Sequence, residues 1–286
     1  MNRKASVARL SIGSNMLLIA MKFVVGFMSG SVSILSEAIH SMMDLVAAVI
    51  AFFSVRVSDN PPDKGHPYGH GKFENLSGVI EALLILIAAG WIVMEAIKKF
   101  KGQEPVESIG WGSLVMFISA GVNILVSRRL YKIARLTDSI ALEADALHLK
   151  TDVYTSLGVG IGLLLIWITK IHVLDPIIAL LVALIIVREA YELLSRAFAP
   201  LLDSSWNKDE LRELVERLNA MGVKYHDLKT RKAGSYRFVD FHLEMPSNIP
   251  LEKVHQYCDE IEDKLQKEIP YLRLTIHAEP EDIINN

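Results

Sequence analysis

Long apolar stretches recur over residues 8–195 and are absent after them. Six of them, at 8–28, 31–55, 76–97, 110–129, 140–168 and 174–195, are each long enough to cross a hydrocarbon layer of roughly 30 Å as a helix. Beyond residue 203 the periods shorten. WNKDELRELVERLNAM has helical spacing with an acidic start, and VKYHDLKTRKAG and SYRFVDFHLEM read as two strands around a turn at Gly234. PLEKVHQYCDEIEDKLQKEI is an amphipathic helix opened by Pro250, and YLRLTIHAEP a final strand. The pattern predicts an all-α six-helix transmembrane domain over 1–203 and a cytoplasmic α+β domain, in the order αββαβ, over 204–286. The second domain is small, and its core is more secure if it dimerises.

Polar residues interrupt the apolar pattern in a telling way. The first half of span 140–168 carries Glu143, Asp145, His148, Lys150 and Asp152, and its second half is almost wholly apolar. His148 and Asp152 are four apart, so a helix stacks them on one face. His40 and Asp44 repeat that spacing in span 31–55. Ionisable groups at such depth are costly unless paired, hydrated or metal-bound, which marks functional sites. Two imidazoles and two carboxylates from two helices suit a tetrahedral divalent cation, zinc first. Asn15 and Lys22 read as helix–helix hydrogen bonding and a snorkelling lysine, and Glu95 as solvated at a span end. Glu81 lies deeper, and a place in a proton path is its less favoured reading. Gly158, Gly160 and Gly162 predict a close helix neighbour, and Trp91, Trp111 and Trp167 an interfacial belt.

Two further ligand sets lie outside the spans. In SDNPPDKGHPYGHGKFE, Pro61 and Pro62 stop a helix and the glycines permit tight turns, so Asp63, His66 and His70 can converge on one cation. In the tail, His226, His242, His255, His277 and Glu279 fall on or beside the strands and the second helix. Five potential ligands in so short a domain favour a bound metal over scattered surface histidines.

Composition sharpens the division. The chain has 286 residues, 51% of them hydrophobic, with a mean hydropathy of +0.30, which fits a membrane part joined to a water-exposed part. A net charge of −3 gives no argument for nucleic acid as a partner. One cysteine, Cys258, excludes an intramolecular disulfide framework and a cysteine-rich zinc ribbon. The apolar run after MNRKASVARL is too long for a signal-peptide core and reads as a retained span. Arg3, Lys4, Arg9, Arg56, Lys64, Lys72, Arg128, Arg129, Lys132 and Arg135 lie on the side of the N-terminus, against Lys98, Lys99, Lys101 and Lys170 opposite. The positive-inside rule then puts both termini in the cytoplasm.

The six spans, the two metal-binding spans, the HPYGHGKFE loop and the HDLKTRKAG, FHLEMP and IHAEP segments, in this order, resemble the cation diffusion facilitator family. The likeness covers nearly the whole chain and is closest to bacterial zinc exporters. It implies a multi-pass protein of the inner membrane, a homodimer exporting Zn2+ in exchange for protons by alternating access, with Cd2+, Fe2+ or Co2+ as alternative substrates. It assigns His40, Asp44, His148 and Asp152 to the transport site and Asp63, His66 and His70 to the loop site. It assigns His226, His242, His255, His277 and Glu279 to a dimer-stabilising, binuclear site in a metallochaperone-like domain, holding Zn2+ as a structural and regulatory ion. Lys72 and Asp203 match an ion pair between protomers. His40 stands where close bacterial relatives often carry Asp, and Glu279 where Asp is usual, which predicts a looser tail site. The short 4–5 connection lacks the histidine-rich insertion of many eukaryotic members and points to a bacterial or archaeal source.

Two other functions compete. A membrane zinc hydrolase needs a metal-bound water beside a general base; there is no H-E-x-x-H, and each carboxylate near the metal serves better as a ligand. A metal-responsive scaffold leaves transport to a partner protein.

Overall fold

The computed structural model describes residues 3–29, 32–101, 111–169 and 173–281. They form two compact units, Met1–Phe198 and Ala199–Asn286, and each is taken by itself. The first contains six long helices among the described residues: α1 Arg3–Ser29, α2 Val32–Ser58, α3 Lys72–Lys101, α4 Trp111–Thr137, α5 Ile140–Thr169 and α6 Leu174–Phe198. At 1.5 Å per residue each is roughly 38–45 Å long, more than the hydrocarbon layer needs. The stretches Arg3–Val25 and Lys72–Lys98 are apolar and charge-poor enough to span a membrane on composition alone.

α3 packs chiefly on α6, α1 on α2 and α4 on α5, while α5 also meets α2, α3 and α6. The contacts are made by small residues. Ala47, Ala51, Ala82, Ala89, Ala144 and Ala190 are buried, and Leu17, Phe27, Ile87, Trp91 and Leu184 point outward. That inversion suits an apolar solvent, where close backbone approach drives helix association. A Cβ added at Gly158 would lie 2.8 Å from a Val182 methyl of α6, so this end of the predicted glycine face is a packing surface. Gly78 on α3 is tighter still, 2.5 Å from an Ile140 methyl and 3.1 Å from Ala197 Cβ. The side chains of Glu95, Trp111 and Trp167, and Gly160 and Gly162, lie outside those described.

A polar lock joins the helix ends. Fully buried Glu74 accepts hydrogen bonds from Lys4 Nζ at 2.8 Å and Ser58 Oγ at 2.8 Å, and from the Ser139 hydroxyl. It thereby ties the starts of α1 and α3, the end of α2 and the α4–α5 turn. Lys22, read as a snorkelling lysine, is buried instead and donates to Ser41 Oγ of α2 at 2.6 Å.

The second unit starts with a 3-10 turn, Ala199–Leu202, and continues through α7 Lys208–Ala220, β1 Tyr225–Ala233, β2 Tyr236–Met245, α8 Leu251–Glu268 and β3 Leu272–Pro280. Asn207 caps α7, its side chain accepting from Glu210 N at 2.9 Å. β1 and β2 are antiparallel, closed by a two-residue turn in which Gly234 takes φ 57°. β3 returns parallel to β2 because α8 carries the chain across. Val239, Phe241 and Leu243 alternate inward against Leu214 and Leu218 of α7 and Ile261 and Leu265 of α8. His242 and Glu244 therefore face the other side of the sheet.

Candidate metal centres

Asp44 sits near the middle of α2, and His148 about 12 Å from the start of α5. The packing of α2 on α5 brings His148 Nε2 to 3.0 Å from Asp44 Oδ1. Asp152, one turn further along α5, joins them, and the ligand atoms of all three lie within 4.8 Å of one another. A tetrahedral zinc site with 2.0–2.1 Å bonds separates its ligand atoms by about 3.3 Å, so a small contraction would close this set on an ion. Asp44 is buried, and His148 Nδ1 is buried with no hydrogen-bond partner. His40 stands on α2 one turn before Asp44, and its side chain lies outside those described. Two more buried carboxylates occur nearby in the bundle. Asp145 accepts from Ser11 Oγ at 3.1 Å and Glu81 from Ser77 Oγ at 3.2 Å, each with one oxygen unpartnered.

The loop after α2 folds around Asp63. Its Oδ1 accepts from the backbone N–H of His66 at 2.7 Å and of Gly65 at 2.8 Å. The His66 N–H is the main reason its carboxyl titrates below the usual range; desolvation opposes it, and the Gly65 N–H and the two histidines add to the lowering. Asp63 Oδ2 lies 3.5 Å from His70 Nε2, and the His66 and His70 rings are 4.4 Å apart. Gly69 takes φ 87°, which brings His70 back under the turn, where it is buried. The three residues read from the sequence lie together, with one donor atom of each within 4.8 Å of the others.

Strand register builds the third cluster. His226 pairs with His242 across β1–β2, and His242 with His277 across β2–β3, so three imidazoles lie in one row. Tyr225 and Leu228 both pack toward the core, which a regular strand forbids for residues three apart. The irregularity between His226 and Lys229, with Asp227 at φ 49°, reconciles them and leaves His226 in the row. Glu279 then reaches all three rings, at 3.0 Å from His242, 3.2 Å from His277 and 3.3 Å from His226. His226, His242 and Glu279 make a ligand group with atoms within 4.8 Å.

His255 is not drawn into this group. It is exposed on α8 and pairs with Asp259 at 3.5 Å. Two acidic neighbours escaped the sequence reading: Glu244 lies 3.2 Å from His226, and Asp227 3.7 Å from His242. Glu244 was findable, because it follows His242 by two on a strand and shares its face. Asp227 was not, since its position depends on the bulge. A hydrogen bond from Lys229 Nζ holds the Asp227 carboxyl below its usual range.

Residues 8–202 match the family model for the cation efflux transmembrane domain, and residues 205–281 that for the cytoplasmic domain of cation efflux proteins. An uncharacterized transporter of Synechocystis sp., sll1263, is 33% identical, covering 96% of this chain and 89% of its own. The cation-efflux pump FieF of Klebsiella pneumoniae is 30% identical over 98% of this chain and 93% of its own. A solved structure of CzrB in its zinc form is 38% identical and covers 29% of this chain and 99% of its own; its TM-score of 0.26 lends no weight to the fold.

Proposed function

This chain belongs to the cation diffusion facilitator family and is a membrane cation efflux transporter, not an enzyme, and we propose that it exports Zn2+ from the cytoplasm in exchange for protons. The observation that carries the proposal is the meeting of Asp44, His148 and Asp152 between two helices of the membrane domain. His40, on the same helix as Asp44, supplies the fourth donor. Two carboxylates balance the charge of a divalent cation, and two imidazoles make the set too nitrogen-rich to favour Mg2+ or Mn2+ over Zn2+ or Cd2+. The same donor atoms bind a metal only when deprotonated, so metal and protons compete for one site, and that competition makes exchange possible. Accessibility from alternate sides then turns competition into transport.

The working unit is a homodimer in the inner membrane, its domains divided at 203/204 and both termini cytoplasmic. Basic residues on the N-terminal side of the spans support that orientation. The Lys72–Asp203 pair links the protomers in this reading; within one protomer Asp203 also lies 3.6 Å from Arg231. The loop group and the histidine row have nitrogen and oxygen donors suited to zinc, so cytoplasmic Zn2+ is also a structural and regulatory ion there.

Proteoliposomes of the purified protein, given Zn2+, Cd2+, Fe2+, Co2+ and Mn2+ in turn with internal pH recorded, test the whole reading. Zinc entry with a matching rise of internal pH is expected. Zinc entry at constant pH refutes proton exchange, and the absence of any uptake favours the scaffold alternative.

A further inference from the structure

A cavity of about 1280 Å3 opens between α4, α5 and α6 at the end of the membrane unit where α4 stops and α5 starts. Its α5 wall is Glu143, Leu147, Lys150 and Val153. At 100° per residue these point roughly opposite to His148 and Asp152, so the body of α5 separates the cavity from that group. Three acidic residues line it, and each is already neutralised. Glu189 takes two 2.8 Å bonds from Lys150, Glu143 one of 2.8 Å from Arg196, and Glu192 one of 3.2 Å from Arg188. On the facing wall α4 presents Arg128, Lys132 and Arg135, spaced four and three apart on one helix face. None of the three has an ion-pair partner among the described residues.

The charge is graded along the cavity. Arg135 lies near the end of α4, and Arg128 about 10 Å further in. Deeper still, Ile124 and Val153 make the walls apolar. Cations at headgroup level above an apolar floor, in a groove between membrane helices, match an amphiphile with an anionic head. Scattered snorkelling would not explain why three uncompensated cations line one cavity while Arg129 lies outside its lining.

We propose that this groove binds the headgroup of an anionic glycerophospholipid, its phosphate held by Arg128, Lys132 and Arg135. The inference rests on α4–α6 lying in a membrane, not on which cation is carried, and its readout does not need transport. Native mass spectrometry of the full-length protein, titrated in detergent with phosphatidylglycerol or phosphatidylcholine, tests it. The wild type should retain phosphatidylglycerol in preference, and the triple variant Arg128→Gln, Lys132→Gln, Arg135→Gln should lose that preference by on the order of 10- to 100-fold. Arg129→Gln should keep it, as should the charge-preserving Arg128→Lys, Arg135→Lys variant, which also controls for folding. Equal retention of the two lipids, or a triple variant that binds as the wild type does, overturns the proposal. Displacement of the lipid by millimolar inorganic phosphate would show a free-anion site and overturn it as well.

Discussion

Replacing Lys4 by Met tests how the helix ends hold the transport helices in register. Glu74 is fully buried, and Lys4 is its only cationic partner within hydrogen-bond reach among the described residues, at 2.8 Å. Lys4→Met keeps the aliphatic stem but leaves the carboxylate to the Ser58 and Ser139 hydroxyls. Breaking a buried pair from one side costs about 3–5 kcal/mol, because the remaining charge is uncompensated. Glu74→Gln should cost less, about 1–3 kcal/mol, because Lys4 still has Asp59 at 3.6 Å. The double variant removes both charges and should recover most of the larger loss, ending nearer to Glu74→Gln than to Lys4→Met. Independent sites would instead add to within about 0.5 kcal/mol. Thermal unfolding of the monodisperse protein in detergent, followed by size-exclusion fluorescence, measures all four corners of the cycle. If Lys4→Met is as stable as the wild type, or the double variant loses the sum of the singles, the lock is not an energetic unit.

Asp152→Ala should reduce zinc uptake in proteoliposomes by at least about 100-fold, since even outer-shell changes at metal sites cost 10- to 100-fold; uptake at the wild-type rate would remove Asp152 from the proposed transport site. Zinc at about 100 times its dissociation constant should stabilise the full-length protein by about 2.7 kcal/mol per site. Glu279→Ala, which strips the group touching three imidazoles, should shrink that thermal shift more than His255→Ala, and the reverse order would displace Glu279 from the cluster's centre. Gly78→Leu should destabilise by about 1–3 kcal/mol or more, because its Cβ alone would lie 2.5 Å from Ile140; an unchanged Tm would mean α3 and α5 are not in close contact. Partial burial, with Asp259 adding to it, raises the Cys258 thiol pKa, so less thiolate is present at any given pH. Iodoacetamide should therefore alkylate Cys258 at pH 8 several-fold more slowly than a free cysteine, the gap narrowing as pH rises; equal rates at pH 8 would contradict this.

Much of the molecule is legible along the chain because its signals are local. Apolar length gives the spans, and the four-residue spacing of His148 and Asp152 gives one face of a helix whatever its neighbours are. Pro61, Pro62 and the glycines around His66 and His70 confine three ligands to one short loop. These readings need only the helical repeat, a turn or a count of apolar residues. What they cannot supply is which faces meet. That Glu74 collects partners from the start of α1, the end of α2 and the α4–α5 turn, that Lys22 turns inward to Ser41, and that His255 stays outside the histidine row depend on packing between segments far apart in sequence. The row itself follows from strand register, where a slip of one residue would send His242 into the core and Leu243 out to the ligands. Residue order fixes which groups can share a face, and only the three-dimensional arrangement decides which faces share a site, because side-chain contacts of a few ångströms are set by the whole fold.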